Sequence, residues 1–551
     1  MMKRILVLGS AAALFVAVTI FAQGRGQAPQ REAPAPNVTF DRLLKPAQAP
    51  QNWLIYGGSF TSQRYSPLTQ ITPANVKDLE LKWVFQSRSL EKHEVTPLVV
   101  NGVMYTIQSP NDVIALEAAT GKTIWTYFHK PVKEARNCCG NLTRGLAILG
   151  DKLFLATLDA RMIAIDARTG KELWNTEAAD PKQGYAFTHA PLVIKDKVIA
   201  GTAGGEFGIR GFIAAWDINT GKEVWRFNTV PGPGEPGHET WSGDSWQHGG
   251  APVWVTGSYD PDLNLTYWGT GNPGPDWDGD ARKGDNLYSC SVIALNPDTG
   301  KLAWYYQFSP HNEFDWDATQ TPVLADIEWQ GRPRKVMLWA NRNGMFYVLD
   351  RISGEFMKGQ PFVKTNWASG FDQAGRPIPA PGIVPTKEGT LVYPGNQGGT
   401  NWYPPSYSPH TGLFYIPAWE NGSSTYLKGE APPEFHEGQT FSGPFPRGGA
   451  TGEDEYSAVR AIDPKTGQKK WDFRQPAMRT EAGIMTTGSD VLFSGSRDGT
   501  FYALDARDGK LLWQTNLGPS VAAGPMSYSV NGKQYVSIMV GSSLFTFGLR
   551  N

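Results

Sequence analysis

Four short stretches of this 551-residue chain gather residues that could do chemistry. The first is Asn137-Cys138-Cys139-Gly140-Asn141, with Arg144 just beyond. Neighbouring Cα atoms lie about 3.8 Å apart across a trans peptide. That is closer than the usual disulfide span, so a Cys138–Cys139 bond would close a strained ring of the kind that collects at functional sites. Two unpaired thiols on a strand are the alternative. The second stretch, Gly204-Gly205-Glu206-Phe207-Gly208-Ile209-Arg210, sets an acid among glycines that let a ligand approach the backbone. Glu206 is then a metal ligand or, more simply, the ion-pair partner of Arg210. The third, Gly269-Thr270-Gly271-Asn272-Pro273, holds Asn272 in a Gly/Pro turn, where an ordinary Asx-turn is the plainer explanation. Asp276, Asp278 and Asp280 follow and mimic an EF-hand start, but Ala281 replaces its Gly and Leu287 its bidentate Glu, so that loop is rejected. The fourth is His311-Asn312-Glu313-Phe314-Asp315-Trp316-Asp317. Three carboxylates in five residues call for solvent or a cation. In an extended segment Asp315 and Asp317 share a face, as hard-metal ligands would.

The elements that must position these stretches are legible in a repeat. Ala115-Leu-Glu-Ala-Ala-Thr-Gly-Lys-Thr-Ile-Trp125 returns in copies ending at Trp174, Trp225, Trp304, Trp471 and Trp513. A degenerate copy, Val348 to Gly354, lacks the Trp, and Leu79 to Trp83 matches only the last part. The apolar alternation ends one strand, the Asp/Asn-x-x-Thr-Gly tetrad is a tight turn with Gly at positive φ, and Lys-x-φ-Trp begins the next strand and docks an indole between sheets. A strand-only unit of about 40–50 residues means a propeller. The expected fold is therefore all-β: an eight-bladed propeller with Trp docking, closed by N- and C-terminal strands in one blade so that no edge is exposed. Large insertions fall between Trp304 and Trp471.

Lys3 and Arg4, the apolar run Ile5 to Ala22 and polar Gln23 read as a secretory signal peptide, cleaved after Ala22 or Ala28. Export places the protein in the periplasm, with no integral membrane span after cleavage. Residues 23–50, rich in Pro, Ala and Gln, are expected to be a disordered tether, and residues 51–551 a single propeller. Lys+Arg of 51 against Asp+Glu of 52 gives no field to attract nucleic acid or an anionic membrane. The 61 Gly and 41 Pro suit short strands and many turns. Three cysteines make no disulfide framework, and C-x-x-C-H is absent, so any cytochrome is a separate protein. Cys290, in Tyr288-Ser-Cys-Ser-Val-Ile, is expected to be a buried inert thiol.

Taken in order, Cys-Cys-Gly…Arg144, Gly-Gly-Glu-x-Gly-x-Arg-Gly, Gly-x-Gly-Asn-Pro and Glu-Phe-Asp-x-Asp resemble the quinoprotein alcohol dehydrogenases, including methanol dehydrogenases. Flanking phrases such as Arg64-Tyr-Ser-Pro-Leu68 and Tyr259-Asp-Pro261 extend the resemblance from Asn52 to the end. It implies pyrroloquinoline quinone (PQQ) and a metal ion as cofactors. A Cys138–Cys139 disulfide would lie on one face of PQQ and Trp254 on the other. Glu94, Arg144, Thr188, Arg342 and Asn401 would bind its carboxylates and carbonyls, with Gly204 and Gly205 close by. Glu206 and Asn272 would ligate the metal, and Asp315 would serve there and as general base for the oxidation of alcohols to aldehydes. Asp317, an acid two residues after the catalytic Asp, resembles the lanthanide-dependent branch, so a lanthanide or permissive site is favoured over strict calcium. A soluble cytochrome c would take the electrons.

Three departures bear on the pocket. Ala203 stands where such enzymes often carry Ser, Pro252 where many have Thr, and Thr480 where methanol dehydrogenases place a substrate-side Trp. They keep a sugar or polyol dehydrogenase open as an alternative substrate class. A non-enzymatic propeller of the outer-membrane assembly type shares only the repeats and lacks the four stretches. The oligomeric state, a homodimer included, is left open by the sequence.

Overall fold

The Asp/Asn-x-x-Thr-Gly tetrad closes the same turn each time it occurs. In the computed structural model, which describes residues 31–449, 451, 453–475 and 480–550, Asp166 Oδ1 accepts from the amides of Arg168 (2.9 Å) and Thr169 (2.8 Å). Gly170 ends the turn at φ +71°, which a Cβ would resist. The turn joins Arg161–Asp166 to Glu172–Glu177 in antiparallel pairing. With Ala147–Leu149 and Lys152–Ala156 these form one four-stranded sheet. Among the described residues there are eight such sheets, seven of four strands and one of five. In each, burial separates the strands: Leu98–Val100, Ala147–Leu149 and Leu192–Ile194 are wholly buried, whereas fourth strands such as Glu172–Glu177 are largely open to solvent. The first strand is thus the inner one and the Trp-bearing fourth strand the outer.

The repeated Trp residues join neighbouring sheets. Trp125 lies on Gly170 of the following sheet, where an added Cβ would come within 2.6 Å of the ring. Its Nε1 donates to Ala167 O at 3.2 Å. Trp83 on Gly121, Trp174 on Gly221, Trp225 on Gly300, Trp304 on Gly354 and Trp471 on Gly509 repeat the contact. After the copy that lacks its Trp, Gln360 takes the place and donates to Gly467 O. The chain ends meet as expected: Leu79–Gln86 pairs antiparallel with Ser543–Leu549 as the outer strand of the C-terminal sheet. The insertion before Trp471 contributes two small sheets, one formed by Ala368–Phe371 and Pro377–Pro379, the other by Thr390–Val392, Ser424–Tyr426 and Arg447–Gly448.

Residues 31–50 correct the expected tether. Ala33 N donates to Arg168 O (2.8 Å), and Val38 exchanges both backbone hydrogen bonds with Gly150. A short helix, Phe40–Leu44, is capped by Thr39, and Val38 and Leu43 are buried. The Pro/Ala/Gln composition pointed to disorder, but a few apolar side chains and free backbone donors suffice to fasten the segment along the sheets. The signal peptide assigned to residues 1–22 lies outside the described residues, as do residues 23–30. No helix among the described residues is long and apolar enough to cross a membrane.

Candidate active site

Seven sheets each aim a residue lying three to six positions ahead of their inner strand at one cavity of about 450 Å³. In chain order these are Glu94, Arg144, Thr188, Trp254, Asp317, Asn401 and Glu481. A second set comes from the connections between second and third strands. Glu206 follows Lys197–Gly201, Asn272 and Asp276 follow Leu265–Gly269, and Arg342 follows Arg332–Ala340. Cys138, Cys139 and Asp315 arrive on links between sheets. Radial repetition therefore makes one site from residues nearly 400 positions apart.

Cys138 and Cys139 form a disulfide, with Cys139 at φ +70° and Gly140 at φ +104° turning the chain. Their sulfurs and a carboxylate oxygen of Glu206 lie within 4.8 Å of one another. On the far side of the Arg144 guanidinium, Glu94 pairs with Nη2 at 2.8 Å, while Trp402 and Trp254 flank it at 4.2 and 5.0 Å. Arg144 Nη1 also donates to Thr188 O and Trp254 O. Thr188 Oγ1 donates to Trp254 O (3.1 Å), and Asn401 Nδ2 to Gln397 O (3.3 Å).

Arg342 organises the acidic wall. Its Nη2 reaches Asp315 at 2.7 Å, its Nη1 reaches Asp317 at 3.1 Å, and its Nε donates to Asn396 O. Asp317 also accepts from Trp254 Nε1 (3.0 Å) and from the Asn272 amide. The two carboxylates meet one guanidinium, but not through an extended strand: Asp315 has φ +57°, so a turn brings them together. Burial pushes Asp315 well above the usual carboxylate range, with Arg342 opposing and Asp317 and Glu206 adding to the rise. Burial likewise raises Glu206 to about 6 and Asp317 above its ordinary value, Arg342 opposing.

The predicted pairing of Glu206 with Arg210 is not formed. Arg210 turns away to Glu235 (2.6 Å) and lies over Trp246, which leaves Glu206 to the cavity. Gly204 lines the cavity at φ +114°. Gly205 and Asn272 lie behind the wall; a Cβ on Gly205 would come within 2.8 Å of Asn272 Oδ1, so this glycine permits the close approach. Asn272 Nδ2 donates to Pro273 O, so Oδ1 is the atom that could meet a cation. Glu206, Asn272, Asp315 and Asp317 offer hard oxygen donors only, which suits calcium or a lanthanide and not a thiophilic metal. The aromatic Trp254, the disulfide and the Glu94–Arg144 pair fit a flat polyanionic quinone.

The family model for the glucose/ethanol/alcohol dehydrogenase β-propeller domain that binds PQQ matches residues 53–359 and 475–536. The chain belongs to the quinoprotein alcohol dehydrogenase family. It is 41% identical to the quinohemoprotein alcohol dehydrogenase ADH IIB of Pseudomonas putida, over 90% of this chain and 74% of that one. It is 37% identical to the lanthanide-dependent methanol dehydrogenase of Methylacidiphilum fumariolicum, over 91% and 86%. A europium-containing methanol dehydrogenase superposes with a TM-score of 0.87 at 35% identity, covering 92% of this chain and all of that one.

Among the departures that the resemblance singled out in this quinoprotein, Ala203 lines the cavity, and Pro252 packs against Gly205 and Gly271. Unlike its neighbour Glu481, Thr480 does not line the cavity. It is buried, its hydroxyl donates to Gly495 O, and its carbonyl accepts from Trp419 Nε1. The aromatic side chains that line the cavity beside Trp254 are Trp277, Trp402, Tyr403 and Phe445. Sequence reasoning missed these and Asp276; a residue just ahead of an inner strand, as Trp402 is, was the available signal. Cys290 is buried as expected, and burial pushes its thiol well up.

Proposed function

We propose that this quinoprotein is a periplasmic, PQQ- and metal-dependent alcohol dehydrogenase built on an eight-bladed propeller, with the Trp–Gly contacts as its docking points. The eight sheets and the pairing of both chain ends support the blade count. Lys3, Arg4 and the apolar run to Ala22 support export. The observation that carries the activity is the convergence of Asp315 and Asp317 on Arg342, beside Glu206 and Asn272, in a cavity that also holds the vicinal disulfide and Trp254.

PQQ, when bound, supplies a two-electron acceptor and the metal a Lewis acid. Everything else comes from the chain. Glu94, Arg144, Thr188 and Asn401 hold the quinone's polar edge, and Trp254 and the disulfide fix its plane. Glu206, Asn272, Asp315 and Asp317 hold the cation. Asp315 Oδ takes the proton from the alcohol hydroxyl as the carbinol carbon is oxidised, and Arg342 fixes the carboxylate that does so. Trp277, Trp402 and Phe445 exclude water and favour an apolar alcohol over a sugar. A separate soluble cytochrome c takes the electrons onward, a reading consistent with a sequence that carries no C-x-x-C-H motif of its own.

The four carboxylate and amide donors favour a lanthanide, because the second Asp adds charge suited to a trivalent ion. The test is reconstitution of the apo-protein with PQQ and either Ca²⁺ or La³⁺, followed by reduction of an artificial acceptor with ethanol, methanol and glucose. Ethanol-dependent turnover that is greater with La³⁺ is expected. Activity with calcium alone overturns the lanthanide reading, and no alcohol-dependent turnover with either ion overturns the dehydrogenase.

A further inference from the structure

The rejected Asp276-Asp278-Asp280 pattern separates in space. Asp280 points outward to Lys428. Asp278 turns back to cap Ala281 N at 3.3 Å. Asp276 alone enters the cavity, at 2% exposure. Its Oδ1 is buried and has no hydrogen-bond partner. A buried acceptor without a donor is uncommon and costly, so it calls for a specific cause.

The neighbouring guanidinium does not supply one. Arg282 places Nε on Pro275 O, Nη2 on Asp276 O and Asn312 O, and Nη1 on Asn286 Oδ1, so these four hydrogen bonds all end on carbonyl oxygens and none on a carboxylate. Arg342 is held by Asp315, Asp317 and Asn396. Apart from Glu94 and Glu481, which pair with Arg144 and Lys92, the cavity is lined by the acids Glu206, Asp276, Asp315 and Asp317, and Asp276 is close enough to Asp315 and Asp317 to be repelled by both. Such an arrangement is stable only with added positive charge or with a carboxyl kept neutral.

We propose that Asp276 is a further anionic residue of the cation site, one that raises the site's preference for a trivalent over a divalent ion. The proposal rests on the metal-dependent reading above. A carboxylate attracts a trivalent ion by one more unit of charge than a divalent one, so its removal should narrow that preference. The carboxylate forms no covalent bond with substrate; its role is charge at the cation.

The experiment measures Tb³⁺ affinity on the full PQQ-loaded protein by tryptophan-sensitised luminescence, and Ca²⁺ affinity by displacement. The variants are Asp276→Asn, Asp276→Glu and, as an outer control, Asp280→Asn. Expected is a fall of about tenfold or more in the Tb³⁺/Ca²⁺ affinity ratio for Asp276→Asn. Asp276→Glu should keep more of the ratio, and Asp280→Asn all of it. Metal-stripped Asp276→Asn should also melt above the wild type, since it no longer buries an unpartnered carboxylate. An unchanged ratio in a natively folded Asp276→Asn overturns the proposal, as does equal loss in Asn and Glu variants. A changed KM for alcohol with an unchanged ratio assigns Asp276 to the substrate wall instead. Wild-type protein that binds neither ion refutes the underlying cation site, which is a different failure from a variant that matches the wild type.

Discussion

Substituting Asp315 by Asn tests the division of labour in the acidic wall. The change keeps the shape and an acceptor oxygen for Arg342 Nη2, now 2.7 Å from the carboxylate, but removes the charge and the capacity to take a proton. At an effective dielectric near 20, a charge pair at about 4 Å is worth about 4 kcal/mol, and desolvating the carboxylate costs a similar several kcal/mol. The two cancel closely because Arg342 is not stranded: its Nη1 stays on Asp317 at 3.1 Å. Stability should therefore change little, with Tm within about 3 °C of the wild type. Turnover should not survive so well, since a positioned general base contributes roughly 10²–10⁴-fold. The assay is kcat with ethanol and an artificial acceptor on PQQ- and La³⁺-loaded protein, alongside the PQQ absorption band and a thermal melt. A folded variant that binds PQQ but turns over at least about a hundredfold more slowly is the expected result. A kcat close to the wild-type value in fully loaded Asp315→Asn would refute the assignment of the base, whatever the melt shows.

Other outcomes follow from the same contacts. Trp254→Phe keeps a flat ring but deletes the Nε1 donor to Asp317; the loss, about 1–3 kcal/mol at a buried carboxylate, should weaken PQQ retention on dialysis, and equal retention would argue against the contact. Gly170→Ala forces a Cβ into Trp125 at a positive φ and should cost about 2–4 kcal/mol, read as a lower Tm with kcat per active site unchanged. His93 and His189 are each lowered by burial to about 4, so between about pH 6.5 and 4 the unfolded chain binds protons that the folded one does not. Stability is therefore full above pH 6.5 and falls with acid, by about 2 kcal/mol per histidine at pH 5. His189→Gln should melt with a smaller drop from pH 7 to pH 5 than the wild type; an equal drop contradicts the argument.

How far the chain could be read depended on what kind of information each feature carries. The turn tetrads and their Trp partners are local: Asp166, Thr169 and Gly170 hold their own turn, and a period of similar units leaves few ways to stack them. That is why the sheets, the closure by Leu79–Gln86 and the adjacent cysteines are legible in the sequence. Composition misled at residues 31–50, because disorder is a statement about averages, while Val38 and Leu43 act through particular neighbours.

The site shows the same boundary. Sequence order alone brought out Cys138-Cys139, Glu206, Asn272, Asp315 and Asp317, since each breaks the repeat. Their partnerships were decided only in three dimensions. Arg210 had a nearer acid in sequence but took Glu235, which frees Glu206 for the cavity. Asp315 and Asp317 share Arg342 through a left-handed turn and not through strand alternation. Asp276 looked like one of three equivalent acids, yet it is the one carried inside, while Asp278 caps a turn and Asp280 meets Lys428. The physical reason is that local spacing sets residue types and backbone turns. The environment of a charge is instead set by groups far off in the chain that packing brings within a few ångströms.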